Sequence, residues 1–172
     1  MFDRITGVLK KEVFEYLLEK EVARATRYPF SFSLAMIELD RTSIENSMVN
    51  GRSHRAKERQ ADLKTLGNLL RIELRKSDIL GCEQGGVFCW IMPETDEQGA
   101  QIGGERIRKA VEGFGFNGRR RTVSLGIATF PTQSLDLPDM LQKSKTRLTQ
   151  AQSQGGNQIC ISDGASFFHP ER

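Results

Sequence analysis

Residues 78–93 read DILGCEQGGVFCWIMP, and this stretch decides the fold. Residues 79–82 form a short apolar run. Gly85-Gly86 supplies a turn, because glycine enters the left-handed backbone region without a Cβ penalty. Residues 87–92 form a second apolar run. Two such runs around a glycine turn predict a β-hairpin. Directly upstream stands Arg75-x-x-Asp78, a cation and an acid where a helix gives way to the hairpin.

On either side of the hairpin the chain alternates helical and strand periodicity. Residues 10–27 carry Val13, Phe14, Leu17, Leu18 and Val22 at helical spacing. Tyr28-Pro29 stops that helix, since the residue before proline avoids helical angles. Residues 31–39 read as a buried strand. Asn50-Gly51 signals a turn within a polar stretch. A second helix is predicted over about residues 57–75, with Leu63, Leu66, Leu70 and Leu74 on one face. After the hairpin, residues 96–112 predict a third helix. Residues 122–129 alternate Val123, Leu125 and Ile127 inward as a strand. Pro138 opens a fourth helix, because proline suits a first turn. Residues 158–161 form a last short strand, and the remainder has no clear periodicity. The order α, β, α, β-β, α, β, α, β predicts an α/β (α+β) fold. Its centre is a mixed or antiparallel sheet of about five strands flanked by helices. The expected division is one domain over residues 1–162 and a C-terminal tail over 163–172.

Composition bounds the function. The 172 residues carry a net charge of +3, with 38% hydrophobic and 27% charged residues. That charge is too mild to argue for nucleic acid. No apolar run reaches the ~18 residues needed to span a bilayer, and the first residues lack the apolar core of a signal peptide. Cys82, Cys89 and Cys160 are odd in number and lack CxxC spacing. A reducing, cytoplasmic setting is therefore expected, with no disulfide framework and no metal site.

Six short segments in a fixed order resemble the GGDEF domain, the palm-like fold of bacterial diguanylate cyclases. Asp3-x-Ile5-Thr6-Gly7-Val8-Leu9-Lys10-Lys11 is similar to the family's DxLTGLxNR start, and Ile37-Glu38-Leu39-Asp40 to its DxD strand. Residues 78–93 have the length of its signature hairpin. Gly104-Glu105-Arg106-Ile107-Arg108 is similar to AERIR, Val123-Ser124-Leu125-Gly126-Ile127-Ala128 to VSIGIA, and residues 151–157 to AKxxGRN. Together they cover nearly the whole chain.

The resemblance implies chemistry that the residues then withhold. Such cyclases use two magnesium ions to hold a triphosphate and activate a hydroxyl, and magnesium is held by carboxylates. The family's first metal-binding Asp corresponds to Glu38. Counting back from Pro93, the signature positions are Gln84-Gly85-Gly86-Val87-Phe88, so the acids become Gly86 and Val87. Matching the two glycines instead makes them Val87 and Phe88. Neither register supplies a carboxylate. The family's Lys after DxD is Ser43, its guanine-contacting Asn is Asn46, and the following Asp is Gln60. The triphosphate-gripping Lys and Arg are Gln152 and Gly156, which removes charge-assisted bonds to phosphate. The expectation is no catalytic residue and no enzyme activity.

A second family site is retained. GGDEF domains often bind their product, cyclic di-GMP, through an RxxD whose Asp lies five residues before the signature, joined by an Arg on the next helix. Arg75, Asp78 and Arg106 fall on those positions. A further family arginine is Ile102 here. The pattern alone proves little, since about 0.7 RxxD matches arise by chance at this composition, and Arg59-x-x-Asp62 is another. The chemistry suits the ligand: a guanidinium forks onto guanine O6 and N7 or onto phosphate, and a carboxylate accepts from the N1–H and amino group. The resemblance therefore implies a cyclic di-GMP receptor with no other cofactor. It would signal to an adjacent domain or protein, with no nucleic acid or membrane partner and a ligand-linked homodimer. The alternative is a nucleotide-independent interaction or scaffold domain, in which Arg75 and Asp78 are a surface ion pair. Trp90 is expected in the core, and Arg119-Arg120-Arg121 as a solvated turn.

Overall fold

The central strand β2 (Phe32–Leu39) hydrogen-bonds along its full length on one side and most of it on the other. In this computed structural model, which describes residues 1–42, 45, 52–163 and 165–167, seven strands form one sheet in the order β1-β3-β4-β2-β7-β8-β9. These are β1 (Leu9–Lys10), β3 (Ile79–Cys82), β4 (Phe88–Met92), β7 (Val123–Phe130), β8 (Ile159–Ser162) and β9 (Ala165–Phe167) beside β2. The β1–β3 and β7–β8 pairs are parallel and the rest antiparallel, so the sheet is mixed. A separate two-strand ribbon pairs β5 (Gly115–Phe116) with β6 (Arg119–Arg120).

Helices cover both faces. On one lie α2 (Arg52–Glu73) and α3 (Glu97–Gly113), and on the other α1 (Lys11–Arg27) and α4 (Leu137–Ser153). The pleat of β2 shows why: Ala35, Ile37 and Leu39 enter the core under α2 and α3, while Leu34 and Met36 enter the core under α1 and α4. Val123, Leu125 and Ile127 share the first core. Every residue of β7 is buried, so the inward–outward alternation becomes an alternation between two covered faces. Leu66 and Leu70 on α2 are fully buried, each worth about 1.5–3 kcal/mol. Asp96 caps α3 by accepting from the Gly99 N–H at 2.8 Å, and Asp136 caps α4 from Asp139 at 2.9 Å.

The five main strands and four main helices match the expectation closely. Four differences have clear causes. The second helix starts at Arg52, because a polar first turn carries no apolar stripe to announce it. The short edge strands β1 and β9 raise the sheet from five strands to seven, and β9 draws on the segment expected as a tail. The β5–β6 ribbon went unforeseen, although Asn117-Gly118 takes positive φ at both residues, the signature of a tight hairpin turn. Strand β4 begins at Phe88, with Val87 packed at the core's rim. Asn50-Gly51 lies outside the described residues.

Candidate functional site

Where α2 ends, the chain makes one tight turn into β3, and that turn is built by Asp78. Its backbone N–H donates to the Arg75 carbonyl at 3.0 Å, and its Oδ2 accepts from the Arg75 backbone N–H at 3.0 Å. The carboxylate therefore closes the turn through the main chain, leaving the Arg75 guanidinium outside it. Helix α3 brings Arg106 to the same edge. Arg75, Asp78 and Arg106 line one cavity of about 70 Å³, together with Trp90, Met92, Thr95, Gly99, Ile102 and Gly103. An open groove of about 430 Å³ adjoins it, sharing Arg75, Thr95 and Gly99 and adding Phe30, Ser31, Glu94 and Asp96. Thus the fold gathers all three residues singled out in the sequence.

The electrostatics of this edge are unbalanced. Arg75 and Arg106 are both exposed, and neither forms a direct ion pair among the described residues. Burial, the largest influence, pushes the Asp78 carboxyl above its ordinary value. The Arg75 N–H, the Trp90 indole and the charges of Arg75 and Arg106 oppose that rise. Trp90 is only 2% exposed, and its Nε1 is buried without a well-formed hydrogen bond. The cavity thus presents two guanidinium groups without a direct ion pair among the described residues and a half-buried carboxylate, a set suited to an anion that also carries N–H donors.

The opposite end of the sheet holds the positions that resemble a cyclase centre. Glu38 accepts from Gln152 Nε2 at 2.9 Å and lies 3.6 Å from the Arg59 guanidinium. Arg59 also donates to the Gly85 carbonyl at 3.0 Å, tying the hairpin tip to α2. A guanidinium therefore stands against the Glu38 carboxylate. Asp40 is consumed by Thr122 Oγ1 at 2.7 Å, Ser124 Oγ at 2.6 Å and the Asn157 N–H at 2.7 Å. Gly156 has φ +72°, and a Cβ there would meet the Asp40 carboxylate at 2.9 Å, leaving no room for a longer side chain. Gly85 and Gly86 both sit at φ +89° at the hairpin tip, while Val87 and Phe88 pack into the two cores. Among the described residues no three His, Cys, Asp or Glu groups come together as metal ligands. The donor set does not fit a pair of magnesium ions. Ser43 and Asn46 lie outside the described residues, and Gln60 is exposed on α2.

The second RxxD does not form a site. Arg59 turns to the hairpin tip, whereas Asp62, only 1% exposed, meets Arg119 at 2.9 Å and Arg121 at 3.6 Å. This corrects the reading of Arg119-Arg120-Arg121 as a solvated turn. Arg121 is buried and reaches Glu45 at 3.3 Å, and Arg120 pairs with Glu112. Among the described residues Cys82, Cys89 and Cys160 form no disulfide. Burial raises the Cys82 thiol to about 11 and lifts Cys89 and Cys160 as well. No helix among the described residues is long and apolar enough to cross a membrane.

Sheet order and helix placement define a nucleotide-cyclase-like α/β domain. The profile described as "Diguanylate cyclase, GGDEF domain" matches residues 1–158, and the chain belongs to that family. It is 27% identical over 168 residues to YhcK of Bacillus subtilis, which is described as uncharacterized; the match covers 94% of this chain. The chain spans about half of that relative, 45% of its length. Among solved structures, the GGDEF domain of TpbB (YfiN) from Pseudomonas aeruginosa superposes with a TM-score of 0.81 at 17% identity, covering 95% of each chain. The coiled-coil and GGDEF portion of DgcB from Caulobacter crescentus, in complex with c-di-GMP, gives 0.78 at 16% identity, covering 94% of this chain and 85% of that one.

Proposed function

We propose that this chain is a catalytically inactive GGDEF domain that acts as a receptor for cyclic di-GMP, bound at Arg75, Asp78 and Arg106. The single observation that carries the reading is the convergence of those side chains on one cavity, with both guanidinium groups free of direct ion pairs among the described residues. One arginine forks onto guanine acceptors or a phosphodiester, the other grips phosphate, and Asp78 accepts the guanine N–H edge. The cavity itself is smaller than a dinucleotide, so the ligand's body extends into the adjoining groove. The DgcB structure provides a related fold with this nucleotide bound.

Inactivity is supported by the cyclase end of the sheet. Two-metal phosphoryl chemistry needs carboxylates that hold both ions. Here Glu38 faces Arg59 and Gln152, Asp40 is bonded three times, and the signature acids are replaced. Binding would join the α2–β3 turn to α3 and so report the nucleotide to an adjacent domain or partner protein, in a cytoplasmic setting. Titration calorimetry with cyclic di-GMP, with GTP and cyclic di-AMP as controls, tests the reading. Selective saturable heat with cyclic di-GMP is expected. Silence at millimolar nucleotide would give the place to the interaction-domain alternative.

A further inference from the structure

Trp90 sits at the floor of the cavity with a buried indole N–H that no well-formed hydrogen bond satisfies. Such a donor is destabilising when left unpaired, so its place beside a ligand cavity calls for a use. The strand register says what it faces. Leu80 pairs with Trp90 and Ile79 with Ile91, so one further step sets Asp78 opposite Met92. Trp90 is then the diagonal neighbour of Asp78 on the same face of the sheet, a spacing that aromatic and long side chains bridge. Gly103 makes room for the ring: a Cβ there would lie 3.0 Å from Trp90 Cη2. Asp78 Oδ2 already accepts from Arg75, which leaves Oδ1 for a second donor. The indole also favours the charged form of that carboxyl against burial.

We propose that Trp90 is a positioning residue for Asp78, its indole N–H steering the carboxylate into the cavity as the acceptor for a guanine-type N–H edge. The inference deepens the receptor reading and rests on it for the ligand. The packing role of the ring and the steering role of its N–H are separable, because Trp90→Phe keeps the first and removes the second.

Two measurements test it. Trp90 is the chain's one tryptophan, so intrinsic emission reports on it alone. In ligand-free protein, emission should titrate with a midpoint above 3.8, the ordinary aspartate value, and Asp78→Asn should abolish that transition. The charged neighbours of Asp78 are Arg75 and Arg106, and both are retained in the Asn variant together with Glu94 and Asp96 in the adjoining groove. A transition that survives in Asp78→Asn, or none in wild type, overturns the inference whether or not nucleotide binds. By calorimetry, Trp90→Phe should bind cyclic di-GMP roughly tenfold more weakly. Its preference for cyclic di-GMP over cyclic di-IMP, which lacks the amino group, should collapse. Unchanged affinity and preference would overturn the positioning role while leaving the receptor reading intact. An emission transition lost in Asp78→Asn, with no nucleotide bound by wild type, would uphold the Trp90–Asp78 coupling and remove the receptor reading.

Discussion

Replacing Asp78 by Asn separates the two readings of the Arg75–Asp78 pair, because they predict different losses. Asn keeps a carbonyl that can accept the Arg75 N–H at the observed 3.0 Å and removes the charge that burial penalises. A raised folded pKa means that the stability contributed is fully present below the unfolded value and is lost as pH rises through the folded one. At neutral pH the ionised Asp78 therefore costs the free fold. Asp78→Asn should leave the unliganded melting temperature unchanged or slightly higher, within the ±0.5 kcal/mol usual for such positions. Binding should fall sharply, since a bidentate base contact is worth about 1–3 kcal/mol. At a ligand concentration of a hundred times the wild-type Kd, wild type gains about 2.7 kcal/mol. That is about 5–11 °C at 2–4 °C per kcal/mol for a domain of this size. A variant that binds ten to a hundredfold more weakly keeps only about 0.4–1.4 kcal/mol at the same concentration. Differential scanning fluorimetry with and without cyclic di-GMP reads both numbers. A variant that melts well below wild type without ligand, yet shifts as much with it, would refute the reasoning and make Asp78 a structural residue.

Asp62→Ala should lower stability by about 1–3 kcal/mol, because it removes one of the two carboxylates beside the buried Arg121 and leaves Glu45 alone to face it; chemical denaturation reads the loss, and a cost under 1 kcal/mol would show the pair to be dispensable. Purified protein with GTP and Mg²⁺ or Mn²⁺ should form no cyclic dinucleotide, and Arg59→Ala, which removes the guanidinium facing Glu38, should not restore it, because Gly86 and Val87 bring no carboxylate. Product that tracks enzyme concentration in a chromatographic assay would sink the inactive reading. Saturating cyclic di-GMP should raise the mass seen by light scattering at high protein concentration, since the exposed Arg75 and Arg106 are open to a shared ligand; an unchanged mass would reject ligand-linked dimerisation.

Much of the architecture was legible because long elements announce themselves. Phe14, Leu18 and Ala25 on α1 keep helical spacing, and residues 32–39 form an apolar run that both sheet faces bury. The gathering of Arg75, Asp78 and Arg106 was legible from the motif's distance to the hairpin and its partner on the next helix. Less visible were features made by pairing. Strand β1 is two residues long and exists only through its contact with β3. The burial of Arg121 depends on Asp62, which is far off in sequence and stands at an otherwise apolar helix position. Arg59 read as an idle copy of the RxxD, yet it faces Glu38 and the hairpin tip, a placement set by the packing of α2 on the sheet. The burial of the Trp90 N–H beside the cavity leaves no sequence trace, since a strand tryptophan looks the same with or without a partner.

The central claim is that the guanidinium groups at the α2–β3 edge, and not the cyclase end of the sheet, hold the nucleotide. The most direct measurement is calorimetric titration of cyclic di-GMP into wild type, the double variant Arg75→Ala/Arg106→Ala and Arg59→Ala. Wild type and Arg59→Ala should bind with affinities within a few-fold of each other. The double variant should lose at least about thirtyfold, given about 1–3 kcal/mol for each guanidinium contact. Equal binding by wild type and the double variant, or loss confined to Arg59→Ala, would contradict the account and move the ligand to the other end of the sheet.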